Sequence, residues 1–324
     1  MNQQNGLQYR SLLKTELAEV ETRLLEVTSA VPPDIAGMLR GIIDSGGKRL
    51  RPALVLLSAH LCQAPLAQAI PIAAAIEMLH TATLVHDDLI DAATLRRGKP
   101  TLNAHLSATP TVLAGDLLFA RAAVLATEGQ NLQLVRRFSA TLEIICSGEL
   151  NQFFIGRGHL PTCDEYERRI FAKTASLFAL AMETGPHLAG SPVQQIAELA
   201  HFGALLGSAF QITDDVLDFV SDEATLGKPV GGDLQQGLVT LPVLIYQEQH
   251  PEDTRLSVLL HAPAGAGQLR EFVADLYTSG AIEAAMTIAD RRVKEALTIL
   301  EHFPATPYRR AIEEIATFAV QRPY

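Results

Sequence analysis

The chain has 324 residues, of which 48% are hydrophobic and 19% charged, and its formal net charge at pH 7 is -10. These values argue against a disordered chain, because enough apolar side chains are present to form a large core. The acidic balance argues against a nucleic-acid-binding protein, which usually carries a basic face. The three cysteines lack metal-site spacing. No apolar stretch follows a basic start, and the apolar runs carry charges or polar breaks before about 18 residues. We therefore expect a cytoplasmic protein with no signal peptide and no membrane anchor.

Helical periodicity begins near the first residues of the chain. Apolar and charged positions repeat with helical spacing over 7–25, a Pro-Pro pair at 32–33 restarts the pattern, and a Gly-Gly pair at 46–47 interrupts it. The segment 52–90 is almost entirely helix-forming and apolar, with a bend expected near its prolines. Such a segment is typical of a helix that is buried on most sides.

The middle of the chain continues the helical pattern. A loop is expected at 96–100, and the segment 221–236 is rich in Gly and Asp, which is typical of a functional loop. Further helices are expected to begin near Pro110, Leu132, Cys163 and Pro192. The helix at Cys163 has a clear start signal, because Thr162 and Glu165 have the spacing of a capping box.

The sequence contains no strand alternation of useful length and no low-complexity linker. We therefore predict an all-α fold, a single-domain helical bundle of roughly ten or more helices over residues 1–324. A second domain after about Pro263 is the less favoured alternative.

Two acidic DDxxD motifs each close a long apolar helix. Their carboxylates belong to Asp87, Asp88 and Asp91, and to Asp214, Asp215 and Asp218. The first and last carboxylate of each motif are four residues apart and lie on one helix face. Like charges at a helix C-terminus repel one another and oppose the helix dipole, and bound Mg²⁺ would offset both effects. A solvated acidic helix end is the alternative, and the presence of two such motifs disfavours it.

Basic residues flank both acidic motifs. They are Lys48, Arg49 and Arg51 in a glycine-flexed turn, Arg96 and Arg97 after the first motif, and Lys228 after the second. His80 precedes Asp87 by about two helical turns. Lys173 lies within an apolar helix, where we expect a buried ammonium group with an anionic partner. Metal-binding acids beside cations, with apolar helices behind them, suit a diphosphate ester that has a hydrocarbon tail.

These motifs resemble the polyprenyl synthetase family of trans-isoprenyl diphosphate synthases, in its medium- or long-chain type. The matching segments are GGKRLRP at 46–52, HTATLVHDDLIDAATLRRGKPT at 80–101, AKTASLF at 172–178, FQITDDVLDF at 210–219 and GKPVGGDL at 227–234. The resemblance implies an isoprenoid-synthase bundle around a central active-site cavity. It also implies a homodimer and Mg²⁺ as the cofactor, with about three ions per site.

The resemblance implies a role at each matching position. The metal ligands would be Asp87, Asp91 and Asp214, supported by Asp88, Asp215 and Asp218. The allylic diphosphate would contact Arg96, Lys173 and Lys228. The isopentenyl diphosphate would contact Lys48, Arg51, His80 and Arg97. Thr174 and Gln211 would place oxygen dipoles beside the developing carbocation.

Two features depart from the wider family. Leu238 stands where many relatives carry a lysine, so diphosphate binding there would be weaker or differently made. The first motif has two residues between its Asp pair and its last Asp, which argues against the bacterial short-chain subgroup. Among weaker signals, His86 is better explained as a hydrogen-bonding residue than as a metal ligand, and Glu149 and Gln152 are candidate site-lining residues.

Side chains on the helix before the first motif bear on product length. The positions eight, five and four residues before Asp87 are Leu79, Ala82 and Thr83. Short-chain relatives have a bulky aromatic residue near the last two, whereas small residues leave a tunnel open for about 5.4 Å, roughly one isoprene unit. We predict a product longer than geranylgeranyl diphosphate. The alternative is that Ala82 and Thr83 are small only because they pack closely against a neighbouring helix. Phe119, Phe153 or Phe154 could also close the tunnel at a deeper level.

The predicted activity is condensation of isopentenyl diphosphate with geranyl, farnesyl or geranylgeranyl diphosphate to give a longer all-trans polyprenyl diphosphate. One alternative is a geranylgeranyl or farnesyl diphosphate synthase. A metal-dependent terpene cyclase is disfavoured by the second DDxxD motif and by the cations expected to bind isopentenyl diphosphate. A non-catalytic subunit of a heteromeric synthase is disfavoured because both acidic motifs are intact.

Overall fold

The computed structural model describes residues 7–44, 47–96, 98–155, 158–220, 230–261 and 266–321. Helices dominate these ranges. In the first half they are α1 Tyr9–Leu12, α2 Lys14–Leu25, α3 Pro33–Asp44, α4 Leu50–Leu61, α5 Leu66–Ile90, α6 Ala108–Glu128 and α7 Leu132–Ile155. In the second half they are α8 Cys163–Ile170, α9 Ser176–Leu188, α10 Val193–Val220, α11 Gly232–Gln235, α12 Leu241–Gln249, α13 Arg255–His261, α14 Ala266–Thr278, α15 Ala281–Leu300 and α16 Pro307–Val320.

Shorter elements complete the description. Two 3₁₀ segments cover Glu26–Ala30 and Leu102–Ala104, and a π-helical turn covers Phe171–Ala175. Strands β1 Leu95–Arg96 and β2 Lys99–Pro100, each of two residues, pair antiparallel as a hairpin. The all-α class that the sequence predicts is confirmed, and the hairpin replaces the loop expected at 96–100.

The chain divides into two compact units. One comprises residues 1–142, 177–203 and 299–315, and the other comprises 143–176, 204–298 and 316–324. The single-domain organisation inferred from the sequence therefore stays a prediction, and the two units are described separately below.

The first unit is built around α5, which packs on α2, α4 and α6. Glycines permit α6 to approach α5 closely, because a Cβ at Gly115 would lie 2.1 Å from His86 Nε2, and one at Gly129 would lie 2.4 Å from Ile72 Cδ1. Since Ile72 precedes His86 whereas Gly129 follows Gly115, the two helices run antiparallel. This contact supports the C-terminal end of α5, where the first acidic motif lies.

The second unit contains the end of α10, which carries the second acidic motif. Helix α8 contacts the π-helical turn that follows it and also contacts α12. Helix α8 begins as the sequence predicts: the Thr162 hydroxyl accepts the Glu165 N–H at 3.2 Å, and the Glu165 carboxylate accepts the Thr162 N–H at 2.7 Å. The capping box therefore fixes the residue at which α8 starts.

Several element boundaries differ from the sequence prediction. The helix expected over 7–25 is split at Leu13, and the apolar run at 52–90 is split into α4 and α5 before Pro65. Pro71 lies inside α5. Gly46, in the Gly-Gly break, and residues 221–229, in the loop expected at 221–236, lie outside the described residues. The last part of that expected loop is helical, because α11 covers Gly232–Gln235.

Helices α5 and α6 are long and apolar enough to cross a membrane by length and composition alone. Both helices carry charged residues, including Glu77 in α5 and Asp116 and Arg121 in α6, which is why no membrane helix was expected from the sequence. The apolar window of α5 is 78% buried inside the protein, and that of α6 is 33% buried. A core helix of a globular protein meets the same criterion, so the finding is weak support for a membrane span.

Candidate active site

The first acidic motif lies where α5 ends. Asp91 caps the helix, and its N–H donates to the Asp87 carbonyl oxygen at 2.8 Å. Ala92 then takes a left-handed conformation with φ 52°, which lets the Ala93 N–H reach the Asp88 carbonyl oxygen at 2.8 Å. This is the hydrogen-bond pattern of a Schellman motif, usually formed with glycine at the left-handed position.

The side chains of the first motif differ in burial. Asp88 is 7% exposed, Asp87 is half-buried and Asp91 is exposed. Arg96, in the hairpin after the helix, donates its Nε–H to Asp88 Oδ1 at 2.8 Å. The buried carboxylate therefore holds the arginine that the sequence assigns to the allylic diphosphate, while Asp87 and Asp91 lie nearer the surface.

The cationic turn, residues 47–51, leads into α4 and contains Lys48 and Arg51, two residues predicted to bind isopentenyl diphosphate. The Tyr9 hydroxyl, on a ring that is 1% exposed, donates to the Lys48 carbonyl oxygen at 2.5 Å. The Arg51 guanidinium lies over the Phe178 ring, 4.8 Å from its centroid, an arrangement typical of a cation–π contact. Phe178 is the last residue of the AKTASLF segment, and its contact with Arg51 was not predicted from the sequence.

His80, Leu79, Ala82 and Thr83 lie on α5 before the first motif. Leu79 and Ala82 are fully buried, His80 and Thr83 are half-buried, and the Thr83 hydroxyl donates to the His80 carbonyl oxygen at 2.8 Å. The side chains predicted to set product length therefore face inward or sit at the edge of the core, and their contact with a tunnel stays a prediction.

The second acidic motif lies near the end of α10, which continues to Val220. Asp214 and Asp218 are half-buried, and Asp215 is 4% exposed. The Asp218 carboxylate accepts the Asp233 N–H at 3.1 Å, and the Asp218 carbonyl oxygen accepts the Gly231 N–H at 2.9 Å. Asp218 thus fixes the start of α11, within the GKPVGGDL segment.

Asp215 is held by uncharged donors. The Tyr166 hydroxyl donates to Oδ2 at 2.8 Å, and the Gln211 side-chain amide donates to Oδ1 at 2.8 Å. Burial raises the pKa of Asp215 to about 7; the hydrogen bond from Gln211 opposes this rise, and the charge of Asp233 adds to it. Burial, followed by the charge of Asp215, raises the pKa of Tyr166 well above its usual value, so this hydroxyl keeps its proton.

The same hydrogen bonds orient Gln211. Because the Gln211 amide nitrogen donates to Asp215, its oxygen is turned toward Thr174, whose hydroxyl donates to it at 2.5 Å. Thr174 and Gln211, the two residues assigned to carbocation stabilisation, are therefore in direct contact within the second unit. Tyr166 is a site residue that sequence reasoning missed, because no motif distinguishes a buried tyrosine on α8.

Lys173 and Thr174 lie in the π-helical turn. Such turns are rare and occur frequently at functional sites. The expectation that Lys173 is buried was wrong: its side chain is 39% exposed, and its Nζ lies 3.8 Å from Glu149 Oε1. A wider turn displaces side chains from the regular helical faces, so the apolar sequence around Lys173 does not imply burial. Glu149, a candidate lining residue, thus contacts a predicted diphosphate ligand.

The donor set fits Mg²⁺ bound together with a phosphate ligand. The described residues contain no group of three His, Cys, Asp or Glu side chains arranged as a closed metal site. Mg²⁺ is commonly bound by one or two carboxylates plus substrate phosphates and water, so a complete protein cage is not required. Half-buried Asp87 and exposed Asp91, one helical turn apart, are suited to this mode of binding.

Two predicted ligands, Arg97 and Lys228, lie outside the described residues. The weaker expectation for His86 agrees with its contacts, since Nε2 lies 3.2 Å from the Val112 carbonyl oxygen and the ring meets Phe119 edge-on. Phe153 and Phe154 are 74% and 79% exposed, so within the second unit neither is buried as a tunnel floor would be.

Comparison with known proteins identifies the family. The sequence profile of the polyprenyl synthetases matches residues 32–276. The chain belongs to the polyprenyl synthetase family. This confirms the family and the prenyltransferase class that the sequence predicts. The matched region covers both acidic motifs, the cationic turn and the π-helical turn.

Relatives in this family align over most of the chain. An all-trans-nonaprenyl-diphosphate synthase (geranyl-diphosphate specific) of Rhodobacter capsulatus is 39% identical over 89% of this chain and 89% of its own length. The heptaprenyl diphosphate synthase component 2 of Geobacillus stearothermophilus is 35% identical over 97% and 98%. The structure of a Caulobacter crescentus polyprenyl synthase complexed with calcium and isoprenyl diphosphate superposes with a TM-score of 0.90, at 34% identity over 97% of each chain.

Proposed function

We propose that this polyprenyl synthetase elongates an allylic diphosphate with isopentenyl diphosphate to give an all-trans polyprenyl diphosphate longer than geranylgeranyl diphosphate. The observation that carries the proposal is the pair of acidic motifs, each with a buried, hydrogen-bonded central aspartate and less buried carboxylates on either side. The polyprenyl diphosphate synthases among its relatives support the same reaction.

We propose Asp87, Asp91 and Asp214 as the Mg²⁺ ligands, with about three ions per site. Bound Mg²⁺ would supply positive charge that favours departure of the allylic diphosphate. The calcium and isoprenyl diphosphate named for the Caulobacter crescentus structure support a divalent cation and this ligand class. Asp88 would keep Arg96 in place for the allylic diphosphate, and Lys173 and Lys228 would add charge to the same group.

The uncharged residues of the second unit suit the next step. As the allylic carbon becomes positive, the oxygens of Thr174 and Gln211 would stabilise it as fixed dipoles. The hydrogen bonds from Gln211 to Asp215 and from Thr174 to Gln211 set these dipoles before the charge develops. Lys48, Arg51, His80 and Arg97 would hold the diphosphate group of isopentenyl diphosphate, and its double bond would attack the cation. The proton then leaves to the released diphosphate, so no dedicated protein base is required.

The assembly we propose is a homodimer with a cytoplasmic location. Helix α6 supports a protein interface, because it exposes Val112, Leu113 and Val124, which are 40%, 61% and 48% exposed. A heptaprenyl synthase component among the relatives makes a heteromeric enzyme the competing assembly. Sedimentation of the purified chain would distinguish them: a stable dimer with full activity supports the homodimer, and activity that needs a second protein contradicts it.

The product profile tests the proposed reaction. Purified chain, Mg²⁺ and labelled isopentenyl diphosphate are incubated with geranyl, farnesyl or geranylgeranyl diphosphate, and the products are separated by mass spectrometry. A ladder that extends beyond twenty carbons is the expected result. A stop at farnesyl or geranylgeranyl diphosphate contradicts the long-chain product alone. A cyclised hydrocarbon indicates a cyclase, and no elongation with any primer indicates a non-catalytic subunit.

Replacement of Ala82 tests the basis for product length. Ala82→Leu and Ala82→Phe should shorten the product progressively, by about one isoprene unit per helical turn that the side chain blocks. Ala67→Phe is a matched control, because Ala67 is exposed in the first turn of α5, about 22 Å along the helix from Ala82. If Ala82→Phe leaves the product ladder unchanged while the protein stays folded, Ala82 does not line the tunnel.

A further inference from the structure

The cationic turn contains a third basic residue, Arg49, between Lys48 and the first residue of α4. It has φ 52° and ψ 38°, a left-handed conformation that is uncommon for residues other than glycine and asparagine. Its side chain is 10% exposed, so it points into the first unit. A strained backbone and a buried guanidinium at this position require compensating contacts.

These contacts come from three helices. Arg49 donates two hydrogen bonds to the Glu21 carboxylate on α2, at 2.6 and 3.0 Å. A third goes to Glu77 on α5 at 2.9 Å, and a fourth to the Ile43 carbonyl oxygen in the last turn of α3 at 2.5 Å. The guanidinium therefore joins α2, α3 and α5 at the point where α4 begins.

Glu77 connects this cluster to the part of α5 that carries His80. Its side chain is 7% exposed, and a buried carboxylate is strongly destabilising unless a cation is hydrogen-bonded to it. Glu77 lies three residues before His80 on the same face of α5. The Arg49–Glu77 pair thus joins the turn that carries Lys48 and Arg51 to the level of α5 that carries His80.

We infer that Arg49 is a positioning residue for the isopentenyl diphosphate site, acting through Glu21 and Glu77 rather than by contact with substrate. By binding both carboxylates, Arg49 holds the start of α4 against α2 and α5, and it fixes the spacing of Lys48 and Arg51 from His80. Tyr9 assists at the Lys48 carbonyl oxygen. The inference rests on the proposed function, because it requires that Lys48, Arg51 and His80 bind isopentenyl diphosphate.

Steady-state kinetics of the full chain with Mg²⁺ test the inference. Isopentenyl diphosphate is varied at saturating farnesyl diphosphate, and farnesyl diphosphate is varied at saturating isopentenyl diphosphate. Arg49→Lys keeps the charge but loses the planar fork, so KM for isopentenyl diphosphate should rise roughly tenfold, with KM for farnesyl diphosphate within about twofold. Glu77→Gln should act in the same direction. Tyr9→Phe should do so more weakly, since it removes one hydrogen bond.

Arg137→Lys is the matched control. Arg137 makes the same two-pronged contact with a buried carboxylate, Glu183, at 2.7 and 3.0 Å, and it lies outside the proposed site. This variant should lower the thermal unfolding midpoint while leaving both KM values unchanged. Glu77→Gln and Tyr9→Phe keep the test decisive if Arg49→Lys fails to fold.

The outcomes separate the inference from the function on which it rests. A selective rise in KM for isopentenyl diphosphate supports positioning. An equal rise in both KM values, or a lower unfolding midpoint with both KM values unchanged, shows a general structural role and overturns it. A wild-type chain that incorporates no labelled isopentenyl unit overturns the proposed function and the inference together.

Discussion

The first acidic motif coincides with the end of its helix, whereas the second lies inside a helix that continues to Val220. Each motif buries its central aspartate and leaves its first aspartate half-buried. The partners differ: Asp88 accepts from the guanidinium of Arg96, and Asp215 accepts from the neutral side chains of Tyr166 and Gln211.

This difference separates two uses of a buried carboxylate. Beside Arg96, the carboxylate holds a cation that is suited to a diphosphate. Beside Tyr166 and Gln211, the carboxylate orients neutral dipoles, and its burial raises its pKa to about 7. The same sequence motif thus holds a cation in one unit and orients neutral donors in the other.

The largest effect should come from replacing the first aspartate of each motif. Asp87→Asn and Asp214→Asn should each lower turnover by about 10³-fold, because each removes a proposed Mg²⁺ ligand. Circular dichroism should show that the helical fold is retained. Asp34→Asn, on the exposed first turn of α3, is the control and should keep normal turnover. Near-normal turnover in either site variant would remove that residue from the metal site.

The raised pKa of Asp215 predicts a pH-dependent stability. Between the ordinary pKa of 3.8 and the folded value of about 7, the folded state retains a proton that the unfolded chain loses. The contribution of Asp215 to the free energy of unfolding therefore falls as pH rises, by at most about 1.4 kcal/mol per pH unit. Asp215→Asn should abolish this fall, so the stability of the variant relative to the wild type should increase from pH 5 to pH 7.

Denaturant unfolding without Mg²⁺ at several pH values measures this difference. Asp253→Asn is the contrasting control, because hydrogen bonds from Arg255 hold the pKa of Asp253 well below its usual range. Asp253 remains ionised in both states above pH 5, so its replacement should give a destabilisation that is constant across the same window. Parallel curves for Asp215→Asn and the wild type would contradict the prediction.

Tyr166→Phe isolates the neutral donor that has no counterpart in the first motif. It leaves one oxygen of buried Asp215 without its hydrogen bond, so the free energy of unfolding should fall by about 1–3 kcal/mol. Tyr277→Phe removes a hydroxyl that donates to the Phe219 carbonyl oxygen at a more exposed position, and about 1 kcal/mol is expected. Equal effects in urea unfolding would show that Asp215 does not depend specifically on Tyr166.

The smallest effect concerns how the first motif ends its helix. Ala92→Gly should stabilise the chain by about 0.5–1 kcal/mol, because glycine adopts the left-handed conformation without a Cβ clash. Ala18→Gly, on the exposed face of α2, should destabilise by about the same amount. The comparison is made by thermal unfolding, and a loss of stability in Ala92→Gly would contradict the strain attributed to this position.

Strong local signals in the sequence predicted the corresponding structure. The capping box of Thr162 and Glu165 predicted the start of α8, and the spacing of the two acidic motifs placed the first and last carboxylate of each on one helix face. The burial of Asp88 and Asp215 was not predicted. The end of α5 had no comparable signal. Alanine is the strongest helix former, so a left-handed Ala92 can be recognised only from the tertiary contacts around it.

Residue types alone did not separate the roles of neighbouring cations. The cationic turn contains three basic residues, Lys48, Arg49 and Arg51, whose residue types do not indicate different roles. The buried contacts of Arg49 with Glu21 and Glu77 distinguish it from the other two. Lys173 was expected to be buried because its neighbours are apolar, but the π-helical turn changes which positions face inward. Both outcomes depend on partners far away in the sequence.

The π-helical turn has a consequence for how the length of this segment can vary. Tyr166 hydrogen-bonds to Asp215, and Thr174 hydrogen-bonds to Gln211, from opposite ends of one run of nine residues. Deleting one residue within Phe171–Ala175 would rotate the following side chains by about 100° and shorten the run by about 1.5 Å, which would separate Thr174 from Gln211. Among active descendants of this chain, insertions and deletions should therefore accumulate in exposed connections and avoid this turn, even where its individual residues are exchanged.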